Sequence, residues 1–164
     1  MEKIRIELWI AAPAERCFDA ARDLDLHVKS MTHTNERAVG GRTSGLIELG
    51  EEVTWRARHL GVTQHFTSKI TAFDRPRHFR DEMQRGAFRS FVHDHFFEVD
   101  DRQSCLSGQA GLPVVHCTKM IDALEFSAPL GIFGRIAEKL FLRRYLTRLL
   151  TDRAKVIREF AELQ

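Results

Sequence analysis

The stretch "VTWRARHLGVTQHFTSKITAFDRPRHFRDEM", residues 53–83, carries the pattern that decides the fold. Apolar and polar residues alternate through "VTWRARH" and again through "GVTQHFTSKITA", which predicts strands with one buried face. The breaks at "HLG" and "FDRPRH" have the composition of turns. Because strands joined by such short connections pair with each other, the stretch predicts an antiparallel meander rather than βαβ units.

The flanking sequence adds helices at both ends of this meander. Upstream, "KIRIELWI" alternates like a strand, and "AAPAERCFDAARDLDLHVKS" predicts two short helices, with Pro13 suited to a first helical turn. Downstream, apolar residues recur at helical spacing from about Leu130 to Glu162, which predicts one long helix. We expect its basic residues to form a solvated face: Arg143, Arg144, Arg148, Arg153, Lys155 and Arg158. We therefore expect a single α+β domain spanning residues 1–164.

Composition excludes several classes of protein. The 164 residues include 25 Lys and Arg against 23 Asp and Glu, a balance too even for a nucleic-acid-binding surface. No window approaches the length of apolar sequence that a membrane span requires, and the first residues do not resemble a signal peptide. The three cysteines have no disulfide-framework spacing, which favours a reducing compartment, so we expect a cytoplasmic protein.

Strand alternation also predicts which side chains face the interior. The expected inner face is Val53, Trp55, Ala57, His59, Val62, Gln64, Phe66, Ser68, Ile70, Phe79, Asp81, Met83, Phe91, His93, His95, Phe97, Val99, Met120, Asp122, Leu124 and Phe126. Five of these are ionisable: His59, Asp81, His93, His95 and Asp122. An unpaired buried polar group costs about 1–3 kcal/mol. These side chains are therefore expected either to pair with one another or to line a cavity.

The segments "VTWRARHLGVTQHFTSKITAFDRPRHFRDEM", "RGAFRSFVHDHFFE" and "TKMIDALEFSAPLGIFG" resemble a bacterial branch of the START-like superfamily. This superfamily, often grouped as SRPBCC, includes Bet v 1-type and polyketide cyclase/dehydrase-related proteins. The resemblance implies a helix-grip fold, in which a curved antiparallel sheet of about six or seven strands wraps a long C-terminal helix. The chain departs from the pattern at residues 101–117, where an insertion stands between the last two strands and leaves the register of Asp122 open.

The resemblance also implies a hydrophobic cavity between the sheet and the C-terminal helix. The expected ligand-binding residues are Trp55, His59, Phe66, Phe79, Asp81, Phe91, His93, His95, Phe97 and Asp122. The expected partner is a lipophilic small molecule, such as a lipid, an isoprenoid or an aromatic polyketide. Whether the chain forms a homodimer is left open.

Two functions compete for the polar residues of this face. In the first, they orient a bound ligand through hydrogen bonds. In the second, His93 or His95 is the general base of a cyclase- or dehydratase-like enzyme, with Asp122 as a further catalytic candidate. A metal would need a third ligand from His59, Asp81 or Asp122, and no compact metal signature such as HExxH is present, so no metal and no cofactor are expected.

Overall fold

The computed structural model describes residues 1–59, 61–104, 116–129 and 141–163. Its elements, in chain order, are β1 (Glu2–Ile10), α1 (Ala14–Ala21), α2 (Leu24–Ser30), a 3-10 turn (Thr32–Thr34), β2 (Arg37–Gly41), β3 (Glu52–His59), β4 (Val62–Asp74), β5 (His78–Arg85), β6 (Ser90–Ser104), β7 (His116–Ser127) and α3 (Arg143–Glu162).

The strands form one seven-stranded sheet in the order β1-β7-β6-β5-β4-β3-β2. Every neighbouring pair is antiparallel, and β2 to β7 are neighbours in chain order, which confirms the predicted meander. The first strand lies at the far edge, where it pairs with β7 instead of β2. The predicted α+β helix-grip architecture is confirmed.

The two short helices close one end of the sheet's inner face. Phe18 of α1 is fully buried and makes edge-to-face contacts with Phe73, Phe79 and Phe97 at centroid distances of 5.2, 5.3 and 5.5 Å. The α2 helix begins at Leu24, after Asp23 accepts hydrogen bonds from two backbone N–H groups of the first turn. Both short helices were predicted, although Pro13 is the N-cap of α1 and not part of its first turn.

The C-terminal helix packs against β1, α1 and α2. Its buried residues are Leu149, Leu150, Arg153, Ala154, Ile157 and Ala161. The prediction of a solvated basic face was wrong for Arg153, which is only 8% exposed. The segment 130–140, where the predicted helix begins, lies outside the described residues.

The alternation of apolar and polar residues predicted the wrong environment for one residue in each of two strands. Val62 and Val99 were predicted to face inward, but they are 60% and 49% exposed. Val62 is the first residue of β4, beside the hairpin turn at Gly61, and Val99 lies in the second half of β6. The alternating pattern therefore continues past the part of the sheet that is covered.

The predicted insertion at 101–117 includes strand residues at both ends. β6 continues to Ser104 and β7 begins at His116, and these two residues are partners in the sheet. Residues 105–115 lie outside the described residues. Cys17 is a free thiol in the core, whereas Cys117 is disulfide-bonded.

Candidate functional site

A cavity of about 210 Å³ lies between the inner face of the sheet and the helices α2 and α3. Most of its walls are apolar. They come from β3 to β7, from the turn before β6, from α3 and from the residue before α3: Val53, Trp55, Phe66, Ile70, Phe79, Phe88, Phe91, Leu124, Leu142, Leu146, Leu149 and Leu150. Polar side chains of the wall interact with one another at two places. A mostly apolar cavity with a few placed polar groups is the usual form of a small-molecule site.

The first polar place is a cluster of four side chains from three adjacent strands, here called the His–Asp cluster: Asp81, His93, His95 and Asp122. Asp81 of β5 pairs in register with His93 of β6, and His95 of β6 pairs with Asp122 of β7. Residues two apart on a strand share a face, so both histidines meet both aspartates. Asp81 and His93 line the cavity, and the other two lie behind them.

His95 lies between the two carboxylates and is fully buried. Its Nδ1 is 2.6 Å from Asp122 Oδ1, and its Nε2 is 3.1 Å from Asp81 Oδ2. The ring also stacks on Phe79, with centroids 4.2 Å apart. Burial alone would lower the pKa of His95, but the charge and hydrogen bond of Asp122, followed by the hydrogen bond of Asp81, raise it above its ordinary value.

The charges and hydrogen bonds of the two histidines also keep both carboxylates ionised. Burial would raise the pKa of Asp122, but the charge of His95 and the close approach of both imidazoles lower it well below its usual range. Burial likewise opposes ionisation of Asp81, yet its hydrogen bond to His95 and the charge of His93 leave its pKa lowered. The cluster therefore holds two buried negative charges around one imidazolium.

His93 differs from His95 in having no well-formed partner. Its Nε2 is 3.3 Å from Asp122 Oδ1 but makes no hydrogen bond of good geometry, and its Nδ1 is 3.8 Å from Asp81 Oδ2. Its ring lies 3.9 Å from that of His95. Burial, followed by the charge of His95, lowers the pKa of His93, so this ring is neutral at pH 7.

The second polar place lies near α2 and the start of α3. Glu36 accepts a hydrogen bond from His27, whose Nε2 is 3.2 Å away and whose ring stacks on Trp55 at 4.3 Å. His59 Nδ1 is 2.9 Å from the Tyr145 hydroxyl. Burial opposes ionisation of Glu36, but the hydrogen bond and charge of His27 lower its pKa. All five side chains line the cavity.

Arg153 lines the cavity from α3 and is electrostatically coupled to both polar places. Its Nη2 donates to the carbonyl oxygen of Ala21 at 2.6 Å, which fixes the guanidinium on the inner side of the helix. Its positive charge contributes to the lowered pKa values of Asp81 and Glu36. Arg153 thus adds a permanent positive charge to the cavity wall, as Arg22 does.

Seven of the ten ligand-binding residues proposed from sequence line the cavity: Trp55, His59, Phe66, Phe79, Asp81, Phe91 and His93. The other three do not. His95 and Asp122 lie behind His93, and Phe97 packs against Phe18 in the core.

Sequence reasoning missed six polar lining residues: Arg22, Asp23, His27, Glu36, Tyr145 and Arg153. One feature of the sequence could have identified Tyr145 as a lining residue: it is the only tyrosine in the chain and stands in the apolar stripe of a predicted helix. No such feature identifies Glu36 or His27, because neither lies in a strand whose alternation predicted an inner face.

Among the described residues, Asp81, His93 and His95 form a group whose ligand-type atoms lie within 4.8 Å of one another. The geometry also separates the two base candidates. His95 has both ring nitrogens engaged by carboxylates and does not reach the cavity, whereas His93 does.

No protein-family model matches the chain, and no curated protein matches it. Solved structures do. Protein TTHA0849 of Thermus thermophilus is similar with a TM-score of 0.70 at 19% identity, covering 98% of this chain and 97% of that one. A START superfamily protein from Mycobacterium smegmatis gives 0.66 at 12% identity over 98% and 97% of the two chains. Ginseng major latex-like protein 151 from Panax ginseng gives 0.63 at 14% identity over the same fractions.

These similarities extend over nearly the whole of each chain, and at such low identity they establish the fold alone. Within the described ranges, no helix combines the length and apolarity needed to cross a membrane.

Proposed function

We propose that this chain, which has the helix-grip fold of Bet v 1-like and START proteins, binds a small lipophilic molecule between its sheet and its C-terminal helix. One observation carries the proposal: the cavity of about 210 Å³ has mostly apolar walls and opens onto a buried His–Asp cluster. A filled core would not leave such a space, since interiors normally pack without voids larger than a water molecule. The expected cytoplasmic location is part of the same proposal.

The cavity favours a compact ligand. Its volume is smaller than the range of about 300–1,000 Å³ that is usual for ligand sites. An isoprenoid or a one- or two-ring aromatic molecule fits this space better than a long-chain lipid does. Its polar end would face Asp81 and His93, and its apolar part would contact Phe66 and Phe91.

The two tryptophans allow a direct test. Trp55 lines the cavity, whereas Trp9 on β1 is 39% exposed and lies outside it. In Trp9→Phe, fluorescence comes from Trp55 alone, so titration with 8-anilinonaphthalene-1-sulfonate should quench it saturably. In the matched variant Trp55→Phe, the remaining Trp9 should be quenched less strongly, because it does not contact the cavity.

A blocking variant completes the test. Ser68 is 4% exposed and lines the cavity, so Ser68→Leu places an apolar side chain in the space that a ligand would use. We expect binding of the dye to weaken at least tenfold, with an unchanged circular dichroism spectrum. Native mass spectrometry of freshly purified protein, followed by solvent extraction, would then identify a co-purifying molecule. Equal binding by folded wild-type and Ser68→Leu proteins would contradict the proposal.

His93 supports a second candidate function, acid–base chemistry on a carbonyl substrate. It is the histidine of the cluster that lines the cavity, its lowered pKa keeps it neutral, and its Nε2 has no hydrogen-bond partner. This candidate predicts turnover that His93→Gln abolishes while dye binding survives. His65→Gln, on the exposed side of β4, should keep full activity.

A further inference from the structure

We propose that Asp81, His93 and His95 bind a divalent transition-metal ion at the wall of the cavity. This inference goes beyond ligand binding and does not depend on it. It rests on the positions of the ligand-type atoms, on the groups behind the two histidines and on the balance of buried charge.

The three side chains converge on one point. Asp81 Oδ2 is 3.1 Å from His95 Nε2 and 3.8 Å from His93 Nδ1, and the set of ligand-type atoms lies within 4.8 Å. In a tetrahedral site with metal–ligand distances of about 2.0–2.2 Å, ligand atoms stand about 3.3 Å apart. The widest of these separations therefore needs to shorten by at most about 1.5 Å for the side chains to enclose an ion.

Asp122 holds both histidines from the opposite side. Its Oδ1 is 2.6 Å from His95 Nδ1 and 3.3 Å from His93 Nε2, which are the ring nitrogens that point away from Asp81. Metal-binding histidines usually donate their second N–H to such a carboxylate, which directs the lone pair of the first nitrogen at the ion. One fully buried aspartate is placed to do this for both rings.

Two buried atoms of this arrangement are unsatisfied: His93 Nε2 and Asp122 Oδ2. Buried polar groups are normally hydrogen-bonded, so each exception needs an explanation. An ion held by His93 Nδ1 would rotate the ring toward Asp81 and fix the tautomer with a proton on Nε2. That proton could then be donated to Asp122.

The buried charge also suits a dication. Asp23, Glu36, Asp81 and Asp122 carry four negative charges in or next to the cavity, and Arg22 and Arg153 carry two positive charges. A metal ion binds the neutral form of imidazole, so its binding would displace the proton of His95. With both histidines neutral, two negative charges remain in excess. A buried charge without a counter-charge is strongly unfavourable, and one divalent ion would remove this excess.

The ligand set indicates the class of metal. Two imidazoles and one carboxylate suit zinc and iron(II), whereas magnesium and calcium prefer oxygen ligands alone. Asp81 and His93 line the cavity, so the open coordination positions would face a bound ligand. A metal on His93 would also prevent this residue from acting as a free base, so the two roles exclude each other.

The test uses the whole chain, freed of metal with a chelator and titrated with Co²⁺ and Zn²⁺ alone. We expect one equivalent of Co²⁺ to bind and to give visible d–d absorption. Asp81→Asn and His93→Gln should weaken binding at least tenfold, and Asp122→Asn by about 10–100-fold. His78→Gln is a matched control, because His78 contacts Asp94 at 2.7 Å in a separate pair, and it should bind Co²⁺ like the wild type.

A second measurement keeps the proposal falsifiable if the variants fold poorly. X-ray absorption of the zinc-loaded wild-type protein should show nitrogen and oxygen ligands with an imidazole contribution. Binding below one tenth of an equivalent, sulfur ligation, or unchanged affinity in folded Asp81→Asn and His93→Gln would each overturn the proposal. Dye binding measured in the presence of chelator reports on the lipophilic site separately.

Discussion

Replacing His95 with leucine should destabilise the protein far more than replacing a histidine of the opposite face. The His95 side chain is fully buried and contacts Asp122 at 2.6 Å and Asp81 at 3.1 Å. In His95→Leu the ionised Asp122, which has no exposed surface, loses its counter-charge. We measure the effect as the free energy of unfolding, in the presence of chelator so that no metal contributes.

The expected magnitude follows from the burial of the pair. Removing one partner of a buried ion pair costs about 3–5 kcal/mol, because the remaining charge stays in the interior. That loss is a large part of the roughly 5–15 kcal/mol that stabilises an ordinary domain. At about 2–4 °C per kcal/mol for a chain of this size, the melting temperature should fall by about 6–20 °C.

A double-mutant cycle separates the ion pair from the packing of the ring. His95→Leu combined with Asp122→Val removes both charges, so the double variant should be more stable than His95→Leu alone. The matched control is His78→Leu. His78 meets Asp94 at 2.7 Å, but its side chain is 23% exposed and Arg80 also binds Asp94, so this change should cost no more than about 1 kcal/mol.

Urea denaturation at pH 7 gives each free energy, with coincident fluorescence and circular dichroism transitions as the check for two-state unfolding. Additive single and double variants, or a cost for His95→Leu no greater than for His78→Leu, would refute the ion-pair reasoning.

Three further results are expected, all measured by urea denaturation with chelator present. Because the pKa of His93 is lowered in the folded state, the contribution of His93 to stability should fall as pH drops below about 6.5, where the unfolded chain takes up the proton. His93→Gln should therefore lose up to about 1 kcal/mol less than the wild type between pH 7.5 and 5.5, and parallel pH profiles would contradict this. Tyr145→Phe removes the hydroxyl that lies 2.9 Å from His59 Nδ1 and should cost about 1 kcal/mol, whereas no loss would mean that water replaces the contact. Asp23→Ala removes the α2 cap and should cost about 1 kcal/mol, with Asp23→Asn retaining most of the stability.

Strand alternation was enough to place the central part of the site. Trp55, Asp81 and His93 lie on the cavity wall because a period of two in a half-buried strand leaves little choice of face. The same rule predicted the wrong environment for Val62 and Val99, because the strands extend there beyond the covered part of the sheet.

The contact between His95 and Asp122 could not be predicted from the sequence. It requires the register between β6 and β7, and the insertion between these strands hides that register. The burial of Arg153 could not be predicted from the sequence either. A single arginine in a helix with mixed charges resembles a solvated residue until its contact with the carbonyl of Ala21 is known.

The placement of β1 at the edge of the sheet has a consequence for how the chain folds during synthesis. Among the described strands, Glu2–Ile10 pairs with β7 alone, so its partner residues, Thr118 to Phe126, emerge from the ribosome more than a hundred residues later. Until then the meander from β2 to β6 can assemble from near neighbours, while the first strand and the edge it will meet remain unpaired. Pairings so distant in sequence form slowly, and unpaired edges are prone to aggregate. A circular permutation that begins the chain at α1 and places β1 after α3 makes β7 available before β1 is synthesised, and it should therefore improve the soluble yield more than slowing translation does.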